Sequence, residues 1–591
     1  HALILLAAPD PQAVRFTGLR FQKAMQAQHQ RHWELTASPA APPGQIGLAL
    51  RLRPDLGLPA EGYRLAITAG GLSVEAVDPA GLFHGVSTLL QIGAQSGADW
   101  PCLHIEDWPD FAVRGVMLDI SRDRVPTLET VLALVDQLAG WKINQFQLYM
   151  EHTFAYRAHP EVWEAASPFT GEEILALDAF CRDRHIELVP NQNSLGHMHR
   201  WLKHPRYRPL AETLAEFDTP WGIKMQGPFG LCPVDPGSLA LVRGLYDELL
   251  PHFTSRQVNV GLDEAVDLGQ GRSQEAVAAR GAGRVYLDYL QQVYADVTAR
   301  GRVMQFWGDI IIGHPDLIPE LPRDAIALEW GYEADHPFDA HGAQFRAAGL
   351  PFYVCPGTAS WNSIAGRTAN TLGNLRNAVE NGLKHGARGY LITDWGDNGH
   401  WQSRPVSDLG FAAGAAYCWA WEANRALDVA RALSLHAFDD PTGNLGQAAY
   451  DLGTVYQLAG FVPHNSSALF WALQLPLEQL PAYRDRIAPE ALTNTVHALD
   501  AAGALLAAER SRRPDAGLVR GEFELAARLL RHAVGRLRLA FEAGGPARAE
   551  LGRDLRGALE DYRSLWLARC RPGGLADSAG RLAKLLAEYA D

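Results

Sequence analysis

Two carboxylates stand side by side, Asp263 and Glu264, at the end of a short apolar run that begins at Val258. The β-branched Val258 and Val260 mark that run as a buried strand. Adjacent acids at such a place are costly: burial disfavours the charged form of each, and each disfavours charging the other. A chain that keeps both there has a use for one acid bearing a proton and one ionised. The bland alternative is a strand-to-loop junction whose acids are solvated or cap the next helix. The elements around the pair decide between these readings.

From about 108 to 425 strand-like runs alternate with helix-like ones. Candidate strands cover 113–119, 144–150, 186–190, 257–262, 303–309, 325–331, 351–357 and 389–397, with amphipathic helices such as 127–139 and 171–184 between them. Eight such units are what a (β/α)8 TIM barrel requires, and in that fold the C-terminal strand ends build the active site. Asp263-Glu264 then closes the fourth strand. Asp119, Glu151, Trp307, Trp330, Trp395 and Asp397 fall at the ends of other strands.

Residues 1–107 read as a small α/β domain, with strands at 2–7, 46–52, 63–68 and 72–76 and a helix opening at Asp78-Pro79. His84 reads as a packed helix histidine. Residues 426–591 have apolar positions three and four apart and read as a helical domain, with Arg512, Arg513, Arg531, Arg536 and Arg538 on a solvated face. The fold class expected is therefore α/β: a TIM barrel between a small α/β domain and C-terminal helices.

A net charge of −14 provides no basic footprint for nucleic acid. No apolar run reaches membrane-spanning length. The first residues, HALILLAAPD, lack the basic region of a signal peptide, although the chain begins with His rather than Met. Six scattered cysteines without a CxxC fit a reducing compartment, so a cytoplasmic location is expected. His197 and His199 lie beside asparagines rather than acids and no HExxH occurs, so neither metal nor cofactor is expected.

Indole faces pack on sugar rings, while carboxylates and arginine grip hydroxyls in pairs. Trp307, Trp330, Trp361, Trp395 and Trp401 beside several acids therefore suit a sugar pocket. Glycoside hydrolysis usually needs two carboxyl groups on opposite sides of the bond, about 5–5.5 Å or about 6.5–9.5 Å apart. Neighbours such as Asp263 and Glu264 cannot easily do this, since successive strand residues point to opposite faces and a turn must intervene. Acting from one side, Glu264 could protonate the leaving oxygen while Asp263 orients a nucleophile carried by the substrate, such as a 2-acetamido carbonyl.

Over at least residues 40–420 the chain resembles the glycoside hydrolase family 20 β-N-acetylhexosaminidases, as a divergent branch. The resemblance is carried by EGYRLAI…GLFHGVSTLLQ, RGVMLDISRD, VPNQNSLGHMHRW, VGLDEAVDLG and TDWGDNGHW. It implies an exo-acting, retaining enzyme that releases terminal GlcNAc or GalNAc by substrate-assisted catalysis. In it Glu264 is the general acid/base and Asp263 aligns the acetamido group. Arg122, Glu151, His197, Trp307, Trp330, Trp361, Trp395 and Asp397 are implied as substrate-binding residues. The implied partner is an N-acetylhexosamine-terminated glycan, with no nucleic acid and no membrane, and a homodimer through the C-terminal helices is compatible. Departures from the family pattern are Asn191 and Asn193 in place of acids, Met150-Glu151-His152 in place of Asp-Asp, and Arg122-Asp123 in place of Arg-His. The family's acetamido-gripping tyrosine has no secure match, and Tyr353 and Trp361 both lie nearby in sequence. Two alternatives remain: a barrel glycosidase with its own nucleophile at Asp397 or Glu151, and a non-catalytic glycan-binding homologue.

Overall fold

The computed structural model describes residues 2–97 and 99–590. Six strands form the N-terminal sheet: β1 (Ala2–Ala7), β2 (Trp33–Thr36), β3 (Ile46–Leu52), β4 (Tyr63–Thr68), β5 (Gly71–Ala76) and β6 (Leu103–Asp107), in the order β2-β1-β3-β5-β4-β6. The helix Pro79–Ser96 packs on β4 and β5; Asp78 caps it by accepting from the Gly81 N–H at 2.8 Å. β2 and β6 escape a reading by pattern: only Trp33 is buried in β2, and no residue of β6 is fully buried.

Eight parallel strands close into a barrel: β7 (Val113–Asp119), β8 (Gln145–Met150), β9 (Glu187–Gln192), β12 (Gln257–Asn259), β13 (Val303–Trp307), β14 (Ile326–Trp330), β15 (Phe352–Cys355) and β16 (Gly389–Asp394). A short hairpin, β10 (Glu216–Asp218) and β11 (Lys224–Gln226), stands outside it. β12 is shorter than the run 257–262 suggests. Gly261 and Leu262 have φ of +71° and +72°, which takes the chain out of the ladder before the acids. Part of the barrel interior is amide rather than aliphatic. Gln147 donates to Gln305 at 2.8 Å and accepts from Asn191 and Asn259 at 3.0 and 3.1 Å. Asn191 therefore belongs to this internal layer.

The C-terminal helices include Pro489–Ala508, Ala516–Ala540, Arg548–Arg569 and Leu575–Ala583, and their apolar faces join the barrel's core. Arg536 corrects the expectation of a solvated arginine face. It is fully buried and donates to the carbonyls of Ala472 and Leu475 at 2.7 and 2.8 Å and to Glu588 at 2.8 Å. Its planar fork satisfies carbonyls left over at the end of the helix Ala468–Gln474. Among the described residues no helix is long and apolar enough to cross a membrane.

Glu61 couples the small domain to the barrel. It pairs with the fully buried Arg114, accepts from Asn144 at 2.9 Å, and meets His84 at 3.1 Å. Burial opposes its charge, but these partners hold its carboxyl well below the usual range, so the pairing is lost only on strong acidification. His84, buried among them, is depressed to about 4, chiefly by desolvation, as suits a packed neutral ring. Glu61→Ala strands Arg114 without its counter-charge, so a loss of about 3–5 kcal/mol at this junction is expected. A thermal melt checks it, and an unchanged Tm would show that the junction is held by packing alone.

Candidate active site

Strand β12 delivers the two acids through a turn that few sequences would choose. After Gly261 and Leu262, Glu264 also has a positive φ, +45°. Non-glycine residues held there cost on the order of 1–3 kcal/mol each and persist only when their surroundings fix them. Those surroundings are close: a Cβ on Gly196 would meet the Asp263 carbonyl at 2.4 Å, and one on Gly261 would meet the Asn193 side chain at 1.7 Å. The Leu262 carbonyl accepts from Tyr286 at 3.0 Å, and the Glu264 N–H donates to Asp309 at 3.0 Å. The turn supplies what a straight strand cannot: consecutive carboxylates that open into one cavity of about 1300 Å³.

His197, itself at φ +56°, joins them. Its Nε2 lies 3.3 Å from a carboxylate oxygen of Asp263 and 3.3 Å from one of Glu264. Burial alone would lower the ring's pKa; the two acids outweigh it and raise it to about 10. Arg122 reaches the other ring nitrogen at 3.4 Å, the outer limit of a hydrogen bond, so the acids decide the ring's charge. His199 is exposed at the rim.

Arg122 gathers the floor. It donates to Asp119 at 3.2 Å and stands 3.5 Å from Glu151 and 3.9 Å from Asp397, with its guanidinium over the rings of Tyr149 and Trp395. Burial would push Glu151 up, yet Arg122 and neighbouring histidines hold it at about 2, and it accepts from Tyr149 at 3.0 Å. Asp397 goes the other way. Desolvation, with Asp119 and Glu264 adding to it, outweighs Arg122 and raises it to about 6. Asn193 lies beneath, donating to the Tyr149 hydroxyl at 2.7 Å.

Trp307, Trp330 and Trp395 line the cavity. Trp307 and Trp395 stand 6.0 Å apart between ring centres, and the buried Trp307 N–H finds no partner among the described residues. Trp361 departs from the expectation: it is 1% exposed, sits edge-on behind Tyr332 at 5.0 Å, and does not reach the cavity. Trp401 likewise turns away, donating to the Ser578 carbonyl at 3.1 Å. Tyr353 is in the barrel floor, bonded to Gln257 at 3.2 Å.

Tyr332 and Asp309 are among the cavity residues that sequence reasoning missed. Tyr332, two residues past the strand β14 end, stacks on Trp330 and accepts from the Trp395 indole at 2.7 Å. Asp309 follows strand β13 and is raised by burial and by the charge of Asp263. Its place in VMQFWGD, two residues after Trp307, was the available signal. Asp267 accepts from the Gly230 N–H at 2.9 Å and ties the loop after the acids to the segment behind the hairpin.

The C-terminal region closes the site from outside. His464, Asn465, Trp471 and Arg581 form one wall, and Trp221 of the hairpin stands exposed at the mouth. The tail also grips the loop that carries Arg122. Arg124 lies over the Trp566 ring, Arg571 donates its N–H to the Val125 carbonyl at 2.8 Å, and Thr127 donates to the Arg569 carbonyl at 2.9 Å.

The model for glycosyl hydrolase family 20, domain 2, matches residues 4–108, and that for the family 20 catalytic domain matches residues 111–361. The chain is similar to a beta-hexosaminidase of Vibrio furnissii, 28% identical over 49% of this chain and 51% of that protein. It is also similar to a beta-N-acetylhexosaminidase of Cellulomonas fimi, 26% identical over 44% and 55%. It thus spans about half the length of these curated relatives. Among solved structures, the GH20 exo beta-N-acetylglucosaminidase of Vibrio harveyi in complex with N-acetylglucosamine shares the fold with a TM-score of 0.59 at 18% identity, over 76% of this chain and 74% of that one. The chitobiase of Flavobacterium johnsoniae does so with 0.59 at 17%, over 96% and 95%. With both family models matching in order, and an acid pair, arginine and tryptophan-lined cavity at the barrel's C-terminal face, the chain belongs to glycosyl hydrolase family 20.

Proposed function

We propose that the protein is an exo-acting, retaining β-N-acetylhexosaminidase that removes a terminal N-acetylhexosamine from a glycan. The observation that carries this is the left-handed turn that brings Asp263 and Glu264, adjacent in sequence, into one aromatic-walled cavity with His197 between them. Glu264, a quarter exposed, is placed to give its proton to the leaving oxygen. Asp263 keeps one buried carboxylate oxygen without a protein partner, suited to the substrate's acetamido N–H. The substrate's own carbonyl oxygen then attacks C1, the bond to the leaving oxygen breaks as Glu264 protonates it, and water opens the resulting ring with Glu264 as base. Arg122 and Asp397 suit the hydroxyls of the same sugar, and Tyr332 suits the acetamido oxygen. Glu151 is a poor protein nucleophile, because Arg122 and Tyr149 both engage its Oε1 and the arginine draws on its charge. The six unpaired cysteines, five of them buried, suit a reducing compartment, and we place the protein in the cytoplasm on that ground.

Paired aryl GlcNAc and GalNAc substrates, assayed with and without a thiazoline analogue of the cyclic intermediate, test the reading. Release of one or both sugars with tight competitive inhibition is expected. A covalent sugar adduct trapped on Glu151 or Asp397 would overturn substrate assistance, and binding without release would leave a glycan-binding protein.

A further inference from the structure

Strand β14 ends in Glu329-Trp330. Trp330 belongs to the aromatic wall; Glu329, 2% exposed, takes no part in the mechanism above. Two histidines converge on one of its oxygens, His336 Nε2 at 2.8 Å and His341 Nδ1 at 2.6 Å, with the imidazole rings 5.4 Å apart and nearly perpendicular. The only ion pairs Glu329 makes among the described residues are with these two rings. A buried carboxylate is therefore met by two imidazoles, and the ligand atoms of all three side chains lie within 4.8 Å of one another, close enough to hold one cation between them.

The loop that carries the histidines is built rather than draped. A Cβ on Gly331 would meet the His336 ring at 2.0 Å, so the chain can fold this ring back onto Glu329 only there. Three asparagines of the helix Thr368–His385 hold the loop's carbonyls: Asn370 that of Tyr332 at 2.7 Å, Asn374 that of Gly331 at 2.8 Å, and Asn377 that of His336 at 2.7 Å. The ring of Phe338 packs edge-on against His336 at 4.5 Å.

We propose that Glu329, His336 and His341 form a zinc site in the wall of the sugar cavity. Two imidazoles and one carboxylate, with a fourth position open to solvent, are an established donor set for this ion. Bonds of about 2.0–2.2 Å need ligand atoms roughly 3.3 Å apart, so each present contact opens by less than about 1 Å. All three residues line the cavity, so the open position faces it and takes water or an oxygen of a bound glycan. The expectation that no metal is held rested on His197 and His199 and did not weigh this trio. The proposal is independent of the activity assigned to Asp263 and Glu264.

Zinc sulfate titrated into the full chain after chelator treatment tests it, with bound metal counted after dialysis and Tm recorded alongside. One equivalent of zinc and a raised Tm are expected, since a ligand that binds only the folded state stabilises it. His336→Ala and His341→Ala should each weaken binding by about a hundredfold or more and abolish the zinc-dependent rise in Tm. His199→Ala, at the exposed rim, should retain both. Cobalt in place of zinc should give the visible bands of a tetrahedral site in the parent chain and in His199→Ala only. The absence of stoichiometric zinc, or zinc retained by both His336→Ala and His341→Ala, would overturn the site. If a variant melts early without metal, the cobalt spectrum of Glu329→Gln, which keeps shape and loses charge, decides instead: unchanged bands would refute the proposal.

Discussion

Glu264→Gln is expected to lower kcat/KM on natural glycosides by about 10²–10⁴-fold, the usual worth of a positioned general acid. Glutamine matches the side chain in size, and the backbone N–H that donates to Asp309 is untouched, so the left-handed turn and the place of Asp263 survive. Only the proton is lost. An aryl glycoside whose phenolate departs unaided needs no such proton, and its first step should slow far less, with the intermediate building up as the proposed role of Glu264 as base for water requires. Parallel kinetics on an alkyl or oligosaccharide glycoside and a nitrophenyl glycoside separate the cases. Equal losses on both would remove Glu264 from the role of acid and point to a misfolded turn.

Arg122→Met carries the second large effect. The guanidinium is the common partner of Asp119, Glu151 and Asp397, two of which are almost fully buried. Methionine fills the space over Tyr149 and Trp395 but leaves acids facing one another. Removing one partner from such a cluster costs about 3–5 kcal/mol, which corresponds to a 10²–10³-fold or greater fall in kcat/KM or a visible drop in Tm. Glu151, now held at about 2 by Arg122 and its neighbours, should titrate at higher pH in the variant, moving the acid limb of the rate profile upward. Arg122→Lys keeps the charge and loses the fork, so its KM should rise more than its Tm falls. A lysine variant with unchanged KM and Tm would show that charge alone is required at this position.

The barrel was legible because its strands are apolar runs bounded by turn signals, and β7, at 113–119, has the limits its sequence suggests. The acid pair was legible for the same reason. What sequence could not show was the route by which consecutive carboxylates share one cavity, since a positive φ at Leu262 and Glu264 leaves no mark in residue type. Trp361 and Trp330 look alike in sequence, but only the second faces the cavity, because Tyr332 stands in front of the first. Tyr332 was missed because it lies beyond its strand, in a loop shaped by the asparagines of a later helix. Arg536 reads as a surface residue by helical spacing; the carbonyls that claim it belong to residues more than sixty positions earlier.

The grip of the tail on residues 124–127 sets an order of events during synthesis. Arg122 leaves the ribosome early, but the loop that aims it is clamped by Trp566, Arg569 and Arg571. At translation rates of 5–20 residues per second, roughly 20 to 90 s separate the two. Through that interval Arg122 is present but its loop is still unanchored. The cavity wall therefore matures last, because the loop that bears Arg122 gains its clamp only when the final helices have been made.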